Sequence, residues 1–281
     1  MAFLRAGFLL LAAAATMPLA AGCSPLSAQS ATDGLSAPKI TQLDQAPPQT
    51  ILFIGNSYFY YNDSLHNHVQ RMVVASGILG EAEPSYKSAT IGGAALRDHA
   101  VGHLVDHTNL GVDRPFELVI LQGISSAALT EESRARFNEA ATRHADTIRG
   151  AGAEPVLYMT PAYAPAHRRY SPEMTAQTAR LYIDTANRLD AMVIPVGLAF
   201  EEALRRRPDI VLHKPFDSSH PSMLGTYLAA ATVFATLYGQ SPVGNPYDYF
   251  GAVSAEDALF LQQVAQDTVS SFFGRTANDP A

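Results

Sequence analysis

The sequence predicts an α/β fold, a three-layer α/β/α sandwich in which a five-stranded parallel sheet lies between two layers of helices. Short apolar runs that suit buried strands alternate with longer stretches that show helical periodicity. Right-handed crossovers between such strands place helices on both faces of a parallel sheet. No repeat or second linker interrupts this alternation, so we expect a single domain over residues 50–275.

Each predicted strand is a short run of mainly apolar residues that is bounded by turn-forming residues. The first run, TILFI, is closed by Gly55-Asn56, and the third, FELVIL, has the composition of a central strand. We expect strands at 50–54, 84–91, 116–121, 155–159 and 192–196.

The predicted helices follow from apolar periodicity and from residues that start or stop helices. Asp63 is expected to cap the first helix and Gly77 to stop it, while Pro172 stands just inside the start of a later one. The predicted helical ranges are 65–77, 95–107, 131–149, 172–189, the stretch from the fifth strand to about 206, 223–238 and 255–273.

Composition excludes several classes of protein. The chain has 281 residues, of which 47% are hydrophobic, and this excludes a wholly disordered chain. Because 19 Lys and Arg stand against 26 Asp and Glu, there is no basic excess to neutralise nucleic-acid phosphates. The single cysteine, Cys23, excludes an intramolecular disulfide, a structural cysteine–zinc site and an iron–sulfur cluster.

Residues 1–22 have the pattern of a secretory signal: one arginine, an apolar stretch and small residues at the exit. The run Leu-Ala-Ala-Gly before Cys23 resembles a bacterial lipobox, which implies a lipidated cysteine, a membrane anchor and a place in the cell envelope on the periplasmic side. Ser24 then favours sorting to the outer membrane. The alternative is ordinary secretion with an incidental cysteine. We expect residues 23–49 to form a flexible tether and 276–281 a short tail.

Two polar motifs lie where the predicted fold would bind ligands, beyond the carboxyl ends of the strands. Ser57 follows the first strand and enters a helix, although serine is also common in such turns. Asp217 precedes His220 by three residues, so its carboxylate can accept the Nδ1 hydrogen and leave Nε2 free as a base. A helix cap beside a surface histidine is the alternative for this second motif.

Together these motifs resemble the blocks of the SGNH/GDSL hydrolase superfamily. The first block resembles residues 51–63 (ILFIGNSYFYYND), and the last resembles residues 217–227 (DSSHPSMLGTY). The resemblance implies a flavodoxin-like fold and a serine esterase without a cofactor. It also implies that Ser57 is the nucleophile, His220 the base and Asp217 the residue that orients the base.

The resemblance further implies an oxyanion hole formed by Ser57, Gly93 and Gln122. Gly93 lies in the second block, the glycine-rich turn 91–96. The third block departs from the usual Gly-x-Asn-Asp and reads Gln-Gly-x-Ser from Gln122, with Ser125 as the second choice of donor. It looks more like a branch of acetylesterase-like members, which implies O-acetyl groups on carbohydrate as the substrate.

Two other functions stay open. A relative that kept the fold could bind carbohydrate or envelope components without catalysis. Alternatively, His99, His103 and His107 are spaced four residues apart and would share one face of a helix, as ligands of a metal-dependent hydrolase would. The aromatic run 58–61 fits either packing around the turn or the wall of an acyl or sugar pocket.

Overall fold

The sheet is built from short segments whose apolar side chains are buried, as parallel strands covered on both faces require. A computed structural model describes residues 1, 2, 34–44 and 46–275. The strands are β1 Thr50–Gly55, β2 Ser85–Thr90, β3 Leu118–Gln122, β4 Glu154–Tyr158 and β5 Met192–Ile194. They pair in the order β2-β1-β3-β4-β5, and every pairing is parallel.

Helices cover both faces of the sheet. They are α1 Ser57–Tyr60, α2 Leu65–Ser76, α3 Val101–Leu104, α4 Glu131–Gly150, α5 Met174–Leu189, α6 Val196–Arg206, α7 Met223–Tyr238 and α8 Ala255–Phe273. Alternate residues of β1 show the two layers: Ile51 and Phe53 pack with α2, α7 and α8, whereas Leu52 and Ile54 pack with α4 and α5. The predicted five-stranded parallel sheet between two helical layers is confirmed.

The predicted helix over 95–107 is wrong. The segment contains a short 3-10 helix at Leu96–Asp98, the single turn of α3 and a second 3-10 helix at His107–Leu110. Two residues favour this interruption. Gly102 lowers the helical propensity, and the Asp106 carboxylate accepts hydrogen bonds from the backbone and side chain of the next turn.

The start of α2 also differs from the prediction in its cap. Ser64 occupies the capping position, and Asp63 instead forms an ion pair with Arg71 at 2.5 Å. The helix ends as expected at Gly77, which adopts the left-handed conformation with φ of 70°.

The described part of the predicted tether, residues 34–44 and 46–49, lies against the domain. The Lys39 N–H donates to Asn187 Oδ1 at 2.8 Å, and the Tyr238 hydroxyl donates to the Pro48 carbonyl at 2.7 Å. Leu35, Ile40 and Leu43 pack against the two apolar cores. The predicted tether over 23–49 thus contacts the domain along its described residues, whose apolar side chains and backbone find partners there.

Residues 3–22 of the predicted signal peptide, Cys23 and the tail 276–281 lie outside the described residues, so their roles stay predictions. Among the residues that the structure describes, no helix combines the length and apolar character of a membrane span.

Candidate active site

Ser57 is held at the carboxyl end of β1 by a tight strand-to-helix connection. Asn56 caps α1, and its Oδ1 accepts the Tyr58 N–H at 3.1 Å. The Asn56 Nδ2 donates to the Ala94 carbonyl at 2.9 Å, which fixes the cap to the segment after β2. Ser57 is therefore the first residue of α1, and its side chain is 7% exposed.

The loop that carries Asp217 and His220 is closed at its base by backbone hydrogen bonds. The Lys214 N–H donates to the His220 carbonyl at 2.7 Å, and the Ser222 N–H donates to the Leu212 carbonyl at 2.8 Å. Within the loop, Asp217 Oδ1 accepts the His220 N–H at 3.1 Å. The loop thus folds back so that both side chains face the same direction.

The structure brings Ser57, Asp217 and His220 together. His220 Nε2 lies 2.7 Å from Ser57 Oγ, and His220 Nδ1 forms a hydrogen bond with Asp217 Oδ2. Burial alone would raise the pKa of the Asp217 carboxyl, but hydrogen bonds from the His220 ring and two backbone amides hold the pKa below its ordinary value. Asp217 is therefore ionised at neutral pH and faces the imidazole.

Two tyrosines from the aromatic run 58–61 enclose the His220 ring. The Tyr61 ring centroid lies 4.6 Å from that of His220, and the Tyr58 centroid lies 5.3 Å from it. Tyr58 is 5% exposed, which favours packing around the turn over a place in the wall of a pocket for this residue of the run. Its hydroxyl forms a 2.7 Å hydrogen bond with Ser219 Oγ, a contact that the sequence analysis missed.

Asn62 is a second residue that the sequence analysis missed. Its Nδ2 donates to the carbonyls of Pro221 and Ser222, both at 2.9 Å, and its Oδ1 accepts from Lys214 Nζ at 2.9 Å. One side chain thus joins the segment after α1 to both ends of the His220 loop. The only sequence signal was the residue type, since asparagine tolerates the left-handed conformation found here, with φ of 55°.

Gly93 lies at the same edge of the sheet as Ser57. It follows β2, whose last residue Thr90 is paired with Gly55 at the end of β1. The turn closes with a hydrogen bond from the Ala94 N–H to the Ile91 carbonyl, and Gly93 takes φ of 71°, where glycine is favoured. Within the described part of the chain, neither the Gly93 N–H nor the Ser57 N–H has an acceptor.

The sequence analysis expected Gln122 to donate to an oxyanion, whereas the structure shows its amide hydrogen-bonded to backbone beside Ser57. The side chain is fully buried; its Oε1 accepts the Asn56 N–H at 2.8 Å, and its Nε2 donates to the Gly123 carbonyl. Its amide is engaged with backbone on both sides, so the structure gives it a role in holding the Asn56 turn rather than in donating to an oxyanion. Ser125, the second choice, is hydrogen-bonded to the Tyr163 hydroxyl at 2.9 Å.

The three histidines proposed as metal ligands do not share a helix face, which contradicts that hypothesis. His99 is buried, His103 lies beside Asn109, and the His107 Nδ1 is hydrogen-bonded to the Val112 carbonyl. In the described ranges, no group of three or more His, Cys, Asp or Glu side chains is arranged to hold a metal ion. The broken helix over 95–107 is the physical reason.

Comparison with known proteins adds information on the fold. No family model and no curated protein matches this sequence. Among solved structures, a DUF4886 family protein from Bacteroides uniformis is 18% identical with a TM-score of 0.63, covering 82% of this chain and 97% of its own. A proposed SGNH hydrolase from Slackia heliotrinireducens is 21% identical with a TM-score of 0.54, covering 67% and 98%.

A third solved structure, a mutant of an acetyl-xylooligosaccharide esterase from Geobacillus, is 15% identical with a TM-score of 0.54. The match covers 72% of this chain and 99% of that one. This chain has the α/β fold of the SGNH hydrolases, and the resemblance inferred from the sequence is confirmed at the level of the fold.

Proposed function

We propose that this protein is a serine esterase that hydrolyses carboxylic esters through an acyl-enzyme on Ser57. The observation that carries the proposal is the 2.7 Å contact between Ser57 Oγ and His220 Nε2, with the other ring nitrogen on Asp217. A serine hydroxyl is a weak nucleophile unless a base lies within hydrogen-bond reach. The geometry supplies that base and a carboxylate that orients it.

The proposed reaction has two halves that use the same groups. In the first, His220 Nε2 takes the Ser57 proton as Oγ attacks the ester carbonyl, and then returns it to the leaving alcohol. In the second, His220 activates a water molecule that hydrolyses the acyl-enzyme and releases the acid. Asp217 holds the imidazole in the tautomer with Nδ1–H and stabilises the imidazolium that forms in each half.

Two backbone donors are suited to the tetrahedral oxyanion. The N–H groups of Ser57 and Gly93 lie at the same edge of the sheet and lack acceptors within the described residues. Loss of one oxyanion donor typically lowers kcat by about 10²–10³. We assign the hole to these two main-chain groups, because Gln122 is engaged with the backbone of Asn56 and Gly123.

We propose that the substrate is an O-acetyl ester on carbohydrate. The proposal is supported by the third-block resemblance noted in the sequence and by the shared fold with the acetyl-xylooligosaccharide esterase. Release of acetate from acetylated xylo-oligosaccharides, beside a series of 4-nitrophenyl esters from acetyl to octanoyl, tests it. We expect the highest kcat/KM with acetyl esters, and a preference for octanoyl would contradict this assignment of substrate.

Variants of the three site residues test the reaction itself. Ser57→Ala and His220→Ala should each lose most of the activity, and their double variant should lose little more, because residues that act as one unit are not additive. Asp217→Asn should be milder but still severe. Activity close to wild type in a folded Ser57→Ala protein would overturn the proposal that Ser57 is the nucleophile and would favour another hydrolytic site.

We also propose that the mature protein is anchored in the cell envelope by lipid on Cys23. The lipobox-like run before this cysteine is the supporting observation. Cells fed a radiolabelled fatty acid should label the wild type and leave Cys23→Ser unlabelled. Equal labelling of the two forms would contradict the anchor without bearing on the esterase.

A further inference from the structure

The residue after the candidate nucleophile contacts the loop that carries the candidate base. The Tyr58 hydroxyl lies 2.7 Å from Ser219 Oγ, and both side chains are buried, at 5% and 8% exposed. Ser219 stands directly before His220 in the chain. Ser57 and His220 are therefore joined twice, by their own contact and by the hydrogen bond between the residues next to them in the chain, Tyr58 and Ser219.

Ser219 is also tied to Asp217. Its N–H donates to Asp217 Oδ1 at 2.9 Å, in a turn whose middle residue, Ser218, adopts φ of 55°. A non-glycine residue in the left-handed region is held there by its surroundings, at some energetic cost. The Tyr58 hydroxyl thus contacts the turn that sets the direction of the Asp217 carboxylate.

The loop after β4 contacts the same turn and is itself hydrogen-bonded to the loop after β3. The Ser125 hydroxyl, after β3, is hydrogen-bonded to the Tyr163 hydroxyl, after β4, at 2.9 Å. The Ala164 N–H, next to Tyr163 in the chain, donates to the Ser218 carbonyl at 2.9 Å. Burial raises the pKa of Tyr58, so the group stays a neutral hydroxyl that can donate and accept.

We propose that Tyr58 and Ser219 are positioning residues that hold the Asp217–His220 turn in register with Ser57. This inference rests on the proposed esterase function. Their hydroxyls contact each other, whereas the atoms proposed to react are Ser57 Oγ and His220 Nε2. Tyr58 and Ser219 act through the placement of His220 relative to Ser57 Oγ, and displacements of about 1 Å at a reacting group can lower the rate about 10²-fold.

The test is a double-variant cycle with Tyr58→Phe and Ser219→Ala, which remove the two hydroxyls and little else. Each single variant should lower kcat by roughly 10- to 100-fold and leave KM within about two-fold of wild type. The double variant should fall no further than the worse single one, because both changes remove one shared contact. The low-field proton resonance of the His220 Nδ1–H should broaden or shift in all three.

Tyr86→Phe is the matched control. Tyr86 is a buried tyrosine in β2 whose hydroxyl is hydrogen-bonded to the Tyr238 hydroxyl, away from the candidate site. This variant also removes a buried phenolic hydroxyl, so it should lower Tm while kcat and the low-field resonance stay as in wild type.

Folded Tyr58→Phe and Ser219→Ala proteins with wild-type kcat and an unchanged resonance would overturn the positioning role. Additive losses in the double variant, or a loss confined to KM, would overturn it as well. If wild type itself shows no Ser57-dependent esterase activity, the proposed function fails instead. The wild-type assay and the cycle therefore separate the two failures.

Discussion

Replacing Gln122 with methionine tests whether this buried amide stabilises the fold or takes part in catalysis. Methionine keeps nearly the same length and volume but removes the amide. In the structure, Gln122 Oε1 accepts the Asn56 N–H at 2.8 Å, and Nε2 donates to the Gly123 carbonyl. The side chain also packs under Gly55, where an added Cβ would overlap with Oε1. The variant should therefore lose stability more than catalysis.

The size of the effect follows from the groups left without partners. The Asn56 N–H is buried, and leaving a buried donor unsatisfied costs about 1–3 kcal/mol. The Gly123 carbonyl also loses a partner at a similar cost, so the total is about 2–6 kcal/mol. For a domain of this size each kcal/mol lowers Tm by about 2–4 °C, and we expect a drop of about 4–24 °C.

Thermal unfolding and steady-state kinetics on an acetyl ester measure the two effects in the same sample. We expect the lower Tm together with a kcat within about ten-fold of wild type, because an oxyanion donor would instead be worth about 10²–10³ in kcat. A folded Gln122→Met protein with unchanged Tm and a hundred-fold lower kcat would refute the structural role and restore Gln122 to the oxyanion hole.

Two further predictions concern stability. Burial lowers the pKa of His66 to about 4 in the folded protein, below its ordinary value of about 6.5. As the pH falls from about 6.5 to about 4, the unfolded chain therefore binds a proton at this residue before the folded protein does, and the free energy of unfolding should decrease. Between pH 7 and pH 4.5 the urea midpoint should fall less in His66→Gln than in wild type. An equal fall in the two proteins would contradict the assignment of the effect to His66. Gly225→Ala should lower Tm by about 2–12 °C, because the added Cβ would overlap with the Leu212 carbonyl; an overpacked site costs about 1–3 kcal/mol. Gly150→Ala, whose Cβ meets nothing, is the control, and equal Tm values for the two variants would contradict the steric argument.

The parts of the fold that local sequence determines were predictable. The fully buried runs of β1 and β3 and the long helices α4, α7 and α8 lie within two residues of their predicted bounds, because apolar period and capping residues determine them locally. The segment 95–107 was not predictable in the same way. Its apolar spacing fits a helix, whereas the contact between the Leu96 carbonyl and His144 Nε2 spans 48 residues of sequence and could not be inferred locally.

In the candidate site too, contacts between residues close in sequence could be predicted and contacts between distant residues could not. Asp217 and His220 are three residues apart, so their contact could be inferred from spacing, and Ser57 could be placed at the same sheet edge by the rule for parallel strands. The direction of the Gln122 amide could not be inferred from the sequence. It depends on the packing of β3 beside the Asn56 turn, across 66 residues of sequence. The Tyr58–Ser219 contact spans 161 residues and was hidden for the same reason.

The most direct measurement of the central claim is the mass of the protein after reaction with a fluorophosphonate, which forms a stable covalent adduct with an activated serine. The wild type should gain one adduct per chain, located on the peptide that contains Ser57. His220→Ala should react far more slowly, since the base that activates Ser57 Oγ at 2.7 Å is gone, and Ser57→Ala should not react. A folded wild-type protein that gains no adduct, or a Ser57→Ala protein that gains the same adduct, would contradict the assignment of Ser57 as the nucleophile.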